Sequence, residues 1–340
     1  MKAAVYYKDE KKLRIEDVPV PEPKLGEVLV KVAACGVCHT DLHYLDHGVP
    51  TFKKPPLILG HEISGHIAKI GEGITNLSEG DHVIIPAVLT CGVCPACRKG
   101  RENICDNMQM VGNNIEGGYA EYIAVPAKDL IPVPKHLNLE NCSIIADALS
   151  TPFHAVVNRG EVKPGQIVSV FGCGGVGINV VQFSALAGAK VIAVDISDEK
   201  LEIAKKLGAH ATYNAGQEKI AKTILKETGG CDIAFEVIGK PQVMLQAIST
   251  LKTGGRFVMV GYSVDDVALP ASRIMYRELD IRGSLGCRPV DYHSIVSLVD
   301  QGSLALEPLI SHRYPINEIN RAFDDMREGK PIIRNLMVPA

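Results

Sequence analysis

The feature that most limits how this chain can fold is a single turn. The run Val168-Ser-Val-Phe-Gly172-Cys-Gly174-Gly175-Val176-Gly177 is strand-like up to the first glycine, and an amphipathic segment follows it to Ala187. In a G-x-G-x-x-G turn placed there, Gly172 permits the tight turn, Gly174 lets backbone approach a pyrophosphate, and Gly177 lets the helix pack on the strand. The helix then presents its N-terminal N–H groups and positive dipole end to phosphate. Three spaced glycines alone are weak evidence. Here the next strand-like run, KVIAVD, ends in Asp195, 18 residues beyond Gly177, where a carboxylate can accept bonds from ribose hydroxyls. Together these predict a dinucleotide site on Gly172, Gly174, Gly175, Val176, Gly177 and Asp195. NAD is favoured over NADP, because an acid at that strand end repels a 2′-phosphate.

The surroundings agree with that turn. From Gln166 onward, strand-like runs (IVSVFG, KVIAVD, CDIAFEVIG, GRFVMVG, LDIRGSLG) are interspersed with helical patterns, as over Val176–Ala187 and Asp198–Leu207. Such alternation predicts a parallel sheet with helices on both faces. Before residue 150 the texture differs. Short Val/Ile-rich segments (Glu27–Ala33, Ile63–Ile70, His82–Ile85) are broken by Gly, Pro, Asn and Asp, the pattern of a β-barrel or sandwich. After about residue 287 the pattern is helical over Tyr292–Gln301 and Asn317–Arg327, then closes on the apolar run IIRNLMV. A chain of 340 residues exceeds one ordinary core, so two domains are expected, with a boundary near 150.

Composition narrows the partners. Hydrophobic residues make up 46% and charged residues 22%, as in a soluble globular protein. A net charge of −3 is not that of a chain tracking phosphate backbones, so no nucleic-acid partner is expected. The opening MKAAVYYKDEKKL lacks the apolar core of a secretory signal, and no apolar run approaches the roughly 18 to 20 residues that span a bilayer. The expectation is a cytoplasmic protein with no membrane partner.

Ten cysteines are many for such a chain, and their placement carries the information. Cys91-x-x-Cys94-x-x-Cys97-x7-Cys105 puts four thiols within fifteen residues, with Gly92 and Pro95 to turn the chain. In a reducing compartment this reads as metal ligation, and four thiolates with no water position describe a closed structural zinc site. Two disulfides, or unliganded surface thiols, are the alternatives. The spacing also suits a zinc ribbon, but Arg98, Lys99 and Arg101 are few and no aromatic set accompanies them. Two further segments offer ligands: Gly36-Val-Cys38-His39-Thr40-Asp41-Leu-His43 and Gly60-His61-Glu62.

At this point several motifs coincide. GVCHTDLH, GHE followed by a glycine-containing strand, the spaced cysteine quartet, GGYAEY at Gly117–Tyr122 and GCGGVG occur in the order of the zinc-containing medium-chain alcohol dehydrogenases. The chain resembles that family over essentially its whole length. The resemblance implies an α/β plus β architecture: a chaperonin-10-like β-barrel catalytic domain (residues 1–150), a Rossmann doubly wound parallel-sheet cofactor domain (151–287), and a return of residues 288–340 to the catalytic domain. It implies two zinc ions per chain and NAD as cofactors, a small alcohol or carbonyl substrate, and a homo-oligomer, dimer or tetramer. LDIRGSLG resembles the segment that pairs across the family's dimer.

Residue by residue, Cys38 and His61 match the first two catalytic zinc ligands. Glu62 matches the neighbouring carboxylate, which stands behind the metal or joins it when water leaves. Asp41 resembles the group that orients His61, which makes the imidazole a better ligand. Thr40 and His43 match the proton relay, Lys200 the lysine that helps hold the adenosine ribose, and Arg334 the arginine that pairs with the pyrophosphate, with His39 close to the same group. At the third ligand position the chain departs from the commonest pattern. Alignment of Cys142-Ser-Ile-Ile-Ala-Asp147 puts Asp147 where many members have cysteine, as in a subset of bacterial and archaeal secondary-alcohol enzymes. Zinc accepts a carboxylate oxygen with no change of formal charge. The alternative is Cys142 as ligand, with Asp147 a loop or cap residue.

The implied reaction is hydride transfer between an alcohol (primary, secondary or cyclic) and NAD, giving aldehyde or ketone. Two rivals fit less well. A zinc-free quinone or enoyl reductase has no use for Cys38, His61 and the quartet, and a non-enzymatic zinc protein has no use for ribose acid and relay together. With no Trp and seven Phe, the substrate site is expected to be aliphatic, with candidates at Ala87–Leu89, Leu149 and Leu285. A polyol or a larger cyclic alcohol is the alternative substrate within the family.

Overall fold

The computed structural model describes residues 1–216, 220–330 and 333–339. The chain divides into two compact units, Met1–Ser150 with Gly286–Ala340, and Thr151–Leu285.

The first unit is built on one long strand, Glu27–Val37. Its first half pairs antiparallel with Tyr122–Pro126, and its last residues pair with the closing strand, Gly36 opposite Leu336 and Cys35 opposite Met337. Along nearly its whole length it also pairs with Glu62–Ile70, which in turn pairs with His82–Ile85. The two remaining strands of this seven-stranded sheet are Ile131–Pro132 and Ile310–Pro315. Burial is interrupted at Lys31 and Ala33, which flank the buried Val32, whereas Ala34 through Val37 is buried continuously. That change is the signature of a strand covered on both faces, and it is where the ligand-bearing segment begins. A three-stranded sheet of Lys2–Tyr6, Arg14–Asp17 and Leu57–Ile58 packs into the same core. The expected closing run IIRNLMV starts at Ile332, outside the described residues; the strand itself is Arg334–Val338. The helix expected over Asn317–Arg327 is a 3₁₀ turn, Ile316–Glu318, followed by an α-helix, Ile319–Arg327.

The second unit is the expected doubly wound sheet. Six parallel strands run in the order Ala209–Asn214, Lys190–Asp195, Ile167–Phe171, Cys231–Glu236, Leu251–Met259, Asp280–Gly283. Val168, Val170, Val191, Ala193, Ile233, Phe235, Phe257 and Val258 are all buried, as a parallel sheet covered on both faces requires. The glycine-rich turn follows the central strand Ile167–Phe171, and the helix Gly177–Leu186 leaves it. Strand order reverses between this strand and Cys231–Glu236, the point where open α/β sheets place ligands. LDIRGSLG supplies a shorter strand than its pattern suggested, ending at Gly283.

Candidate active site and metal centres

In the first unit the chain leaves the strand at Val37, and Cys38 keeps extended backbone before the helix His39–Asp46 begins. Asp41 sits in the first turn of that helix, where its Oδ2 accepts the Cys38 N–H at 3.4 Å. One short turn thus presents the thiol of Cys38, the hydroxyl of Thr40 at 3.6 Å from it, and the carboxylate of Asp41. Gly60, at φ +92°, turns the chain into His61 and the strand beginning at Glu62. Gly36 lies opposite Glu62 in the ladder. A Cβ on Gly36 would stand 2.0 Å from Glu62 Oε2, so only glycine leaves room for that carboxylate. Asp147 arrives from far along the chain, at the end of the buried 3₁₀ turn Ser143–Ala146, which packs against Glu62–Ile70.

Cys38, His61, Glu62 and Asp147 each bring one ligand atom to within 4.8 Å of the others. Asp147 Oδ2 is 3.8 Å from Cys38 Sγ and 3.7 Å from His61 Nε2. Tetrahedral zinc at ordinary bond lengths would set these edges at about 3.4–3.6 Å, so the donor set fits the ion closely. Both nitrogens of His61 and both oxygens of Glu62 are buried without a hydrogen-bond partner, an arrangement that costs free energy unless something is bound there. Burial would lower the His61 pKa, but Cys38 and Asp41 outweigh it and hold it well above the usual histidine value. Burial pushes the Glu62 carboxyl up, against the pull of the Arg334 guanidinium. Cys142 is fully buried, its thiol pushed up to about 12 by burial, and it is not a member of the cluster.

Around this centre, Asp41 Oδ1 faces His61 Nδ1 at 3.7 Å, and Arg334 Nη2 stands 3.4 Å from Glu62 Oε1. Arg334 Nη1 donates to the Val37 carbonyl at 3.1 Å; its Nε is buried and has no hydrogen-bond partner. His43 is half-buried one turn along the helix, with Nδ1 3.0 Å from His47 Nδ1, while His39 is exposed. Two tyrosines that the sequence reading gave no role support the site. Tyr119 Oη donates to Asp41 Oδ2 at 2.7 Å, and Tyr292 Oη donates to the Ala146 carbonyl at 2.7 Å, next to Asp147. Tyr119 lies in the GGYAEY motif, which marked the place without the contact; Tyr292 reads as an ordinary core position of a helix. Of the aliphatic candidates, Leu149, Leu89 and Ala87 are buried, Val88 is half-buried and Leu285 is 55% exposed.

The quartet forms a second centre. Neighbouring sulfurs lie 3.4 Å (Cys91–Cys105), 3.5 Å (Cys94–Cys97) and 3.9 Å apart (Cys91–Cys97 and Cys94–Cys105). A ZnS₄ tetrahedron has edges of about 3.8 Å, whereas a disulfide needs about 2.05 Å. All four cysteines are free thiols. Backbone N–H groups of Val93 and Cys94 pull the Cys91 thiol down to about 6, which suits a thiolate ligand.

In the second unit, Gly172 adopts φ +99°, and a Cβ on Gly177 would lie 1.8 Å from the Gly172 carbonyl oxygen. A Cβ on Gly174 would meet nothing within 4 Å, so that face of the turn is open. Asp195 is tied into the turn: Oδ2 accepts the Cys173 N–H at 2.6 Å and Oδ1 accepts the Ser197 N–H at 2.9 Å. Ser197 also caps the helix Asp198–Lys206, which carries Lys200. Beside the turn, Glu236 Oε1 accepts the N–H groups of Ile238 and Gly239 at 3.0 and 2.8 Å.

Residues 24–135 match the alcohol dehydrogenase GroES-like domain, and residues 175–301 match the zinc-binding dehydrogenase family. The chain is 35% identical over 331 residues to an alcohol dehydrogenase of Geobacillus stearothermophilus, covering 97% of each chain. It is 33% identical over 332 residues to D-xylulose reductase A of Aspergillus oryzae, covering 94% of this chain and 92% of that one. Among solved structures, an alcohol dehydrogenase from Thermus sp. ATN1 superposes with a TM-score of 0.92 at 30% identity over 100% of both chains. No described helix is long and apolar enough to cross a membrane. With a GroES-like β-unit, a doubly wound unit and these full-length similarities, the chain belongs to the zinc-containing medium-chain alcohol dehydrogenase family.

Proposed function

We propose that this chain interconverts a primary, secondary or cyclic alcohol with its aldehyde or ketone, using NAD, with a catalytic zinc on Cys38, His61 and Asp147 and a structural zinc on Cys91, Cys94, Cys97 and Cys105. The observation that carries this reading is the buried Cys/His/carboxylate cluster, with donor atoms at tetrahedral spacing and unpartnered imidazole nitrogens. Zinc in a three-ligand site supplies Lewis acidity, lowering the pKa of an alcohol and polarising a carbonyl. NAD supplies the hydride acceptor.

The chain's own residues do the rest. A thiolate, a carboxylate and a neutral imidazole balance a divalent charge in a site that water does not screen. Asp41 fixes the ring of His61 by facing its Nδ1. In the relay the family resemblance implies, the Thr40 hydroxyl would accept the proton of the substrate alcohol while giving up its own, which would reach His43 by way of the nicotinamide ribose and leave to solvent. Glu62 is held beside Arg334 behind the ligand set, within reach of the metal position as an alternate ligand. In the second unit, the open face at Gly174 and the following backbone of Gly175, Val176 and Gly177 receive the pyrophosphate. Each Asp195 oxygen already accepts one N–H, and its remaining lone pairs are available to ribose hydroxyls, with Lys200 assigned to the same ribose by the family resemblance. By the family resemblance, His39 and Arg334 are assigned to the pyrophosphate. On this assignment, the unit holding both metal centres is the catalytic domain and the doubly wound unit the cofactor domain.

The protein is, on the same reading, a cytoplasmic homo-oligomer of two or four subunits; its supporting feature is the edge strand Asp280–Gly283, and sedimentation measures the count. A polyol dehydrogenase is the second reading, favoured by the similarity to D-xylulose reductase A. The test combines metal analysis with a panel of primary, secondary, cyclic and polyol substrates read by NADH absorbance. About two zinc ions per chain and NAD-linked turnover are expected. A chain that binds no metal, or turns over only with NADP, contradicts the proposal.

A further inference from the structure

Asp41 is an ionisable group with no exposure. A buried carboxylate is tolerated only where donors satisfy its oxygens. Its Oδ2 accepts the Cys38 N–H at 3.4 Å, a long contact, and the Tyr119 hydroxyl at 2.7 Å, a short one, and the Gly60 backbone N–H also bears on the carboxylate. Its Oδ1 forms no hydrogen bond and faces His61 Nδ1 at 3.7 Å. The phenol thus makes a shorter contact than the Cys38 N–H to the carboxylate that faces the metal-ligating histidine.

Tyr119 is itself fixed from several sides. Its N–H donates to the Leu59 carbonyl at 3.0 Å, and its carbonyl accepts the Ala4 N–H at 2.8 Å. The ring meets Phe323 edge-on, with centroids 6.0 Å apart. On the other side it lies against Gly60, where a Cβ would stand 2.8 Å from Cδ1 and Cε1. Gly60 immediately precedes His61, so ring and hydroxyl bear on the same ligand by two routes, one through backbone packing and one through Asp41. Burial and the Asp41 charge hold the phenol well above the usual tyrosine pKa, so it stays protonated and donates throughout the working pH range.

We infer that Tyr119 is a positioning residue of the catalytic centre: its hydroxyl, donated to Asp41 Oδ2, holds that carboxylate in place, and through Asp41 it fixes the ring of His61 toward the metal. This rests on the reading of Cys38, His61 and Asp147 as a zinc site. Tyr119→Phe is the informative variant, because it keeps the ring against Gly60 and Phe323 and removes only the donor.

The readout is zinc release to a colorimetric chelator from the purified protein, resolved into a catalytic and a quartet phase. Removing an outer partner of a ligand typically costs 10–100-fold in metal affinity; acting one bond further out, Tyr119→Phe should speed the catalytic phase by about 10-fold. The quartet phase should not change, and kcat should fall in parallel. In an Asp41→Ala background the same substitution should change the catalytic phase by less than about twofold, because the acceptor is gone and coupled residues do not add. Wild-type release in Tyr119→Phe overturns the inference. So does an equal acceleration of both phases, which marks general loosening, or a full effect without Asp41, which marks another route. Wild-type protein carrying only the quartet zinc overturns the metal-site reading and this inference with it.

Discussion

The two metal centres of the first unit are built in opposite ways. The quartet draws four identical ligands from fifteen consecutive residues, with local backbone N–H groups already pointing at the sulfurs: Cys94 N–H to Cys91 Sγ at 3.4 Å and Cys97 N–H to Cys94 Sγ at 3.5 Å. On the proposed assignment, the other centre draws three kinds of ligand from separate elements, with Asp147 lying 109 residues from Cys38, and Asp41, Tyr119, Arg334 and Tyr292 pack around it. A closed site of four thiolates leaves no position for substrate, whereas a three-ligand site does. The first can stabilise a lobe; the second can do chemistry. The difference also sets how each should fail. Loss of a quartet ligand is a local stability event, whereas loss of a ligand at the assembled centre removes function and leaves the lobe intact.

The largest effect that would break this contrast is at Asp147. Asp147→Ala removes one of the three proposed catalytic ligands, and activity should fall by at least about 1,000-fold on the scale of lost metal-ion catalysis. Zinc content should drop by one ion per chain, with the quartet still loaded. Asp147→Cys keeps the ligand charge and should retain zinc with an altered rate. Full activity in Asp147→Ala, or Cys142 on the metal in a crystal of the zinc form, would falsify the assignment.

His43→Ala should slow turnover by about 100-fold near neutral pH, the scale of one lost acid–base group. Alkaline pH or added imidazole should restore part of the rate. Burial and the neighbouring His47 hold the His43 pKa below the usual histidine value, so the ring is neutral at pH 7 and ready to accept a proton. Alcohol oxidation by wild type should therefore persist as pH falls to the usual histidine range and drop only below it. A pH-independent loss in the variant would assign His43 to structure rather than proton transfer.

A smaller effect is expected in the second unit, where Asp195→Gly removes the carboxylate proposed to discriminate against a 2′-phosphate. The NAD-to-NADP preference should shrink by about 10-fold, one charge-assisted contact's worth, as read from kcat/KM with each cofactor. A wild type that already prefers NADP would defeat that reading of the strand end. Cys97→Ser should have the smallest effect on turnover at 25 °C. It should release about one zinc per chain and lower Tm by about 5 °C or more, at about 2–4 °C per kcal/mol. A variant that keeps its zinc and its Tm would collapse the distinction between the two centres.

The sequence carried whatever was encoded at short range. The cysteine spacing, the glycine turn with Asp195, and the alternation that yields the doubly wound sheet all depend on residues close together in the chain. Their geometry is imposed by local backbone rules such as the φ +99° of Gly172. The helix His39–Asp46 is not legible in the sequence, although Thr40, Asp41 and His43 stand out there. Its apolar pattern is too short to register, and it is held by its capping contact and by Tyr44 and Asn113, joined at 2.6 Å.

What only the tertiary structure decided is which distant groups meet. A 3₁₀ turn buried against Glu62–Ile70 leaves Cys142 in the core and brings Asp147, five residues on, beside Cys38, His61 and Glu62. The pairing of Arg334 with Glu62, the room that Gly36 leaves for that carboxylate, and the hydroxyl of Tyr119 on Asp41 are likewise contacts between strands and loops far apart in sequence. The physical reason is range. Backbone conformation and ligand spacing are fixed over a few residues, but the burial that makes a carboxylate demand a partner exists only once the sheet has closed around it.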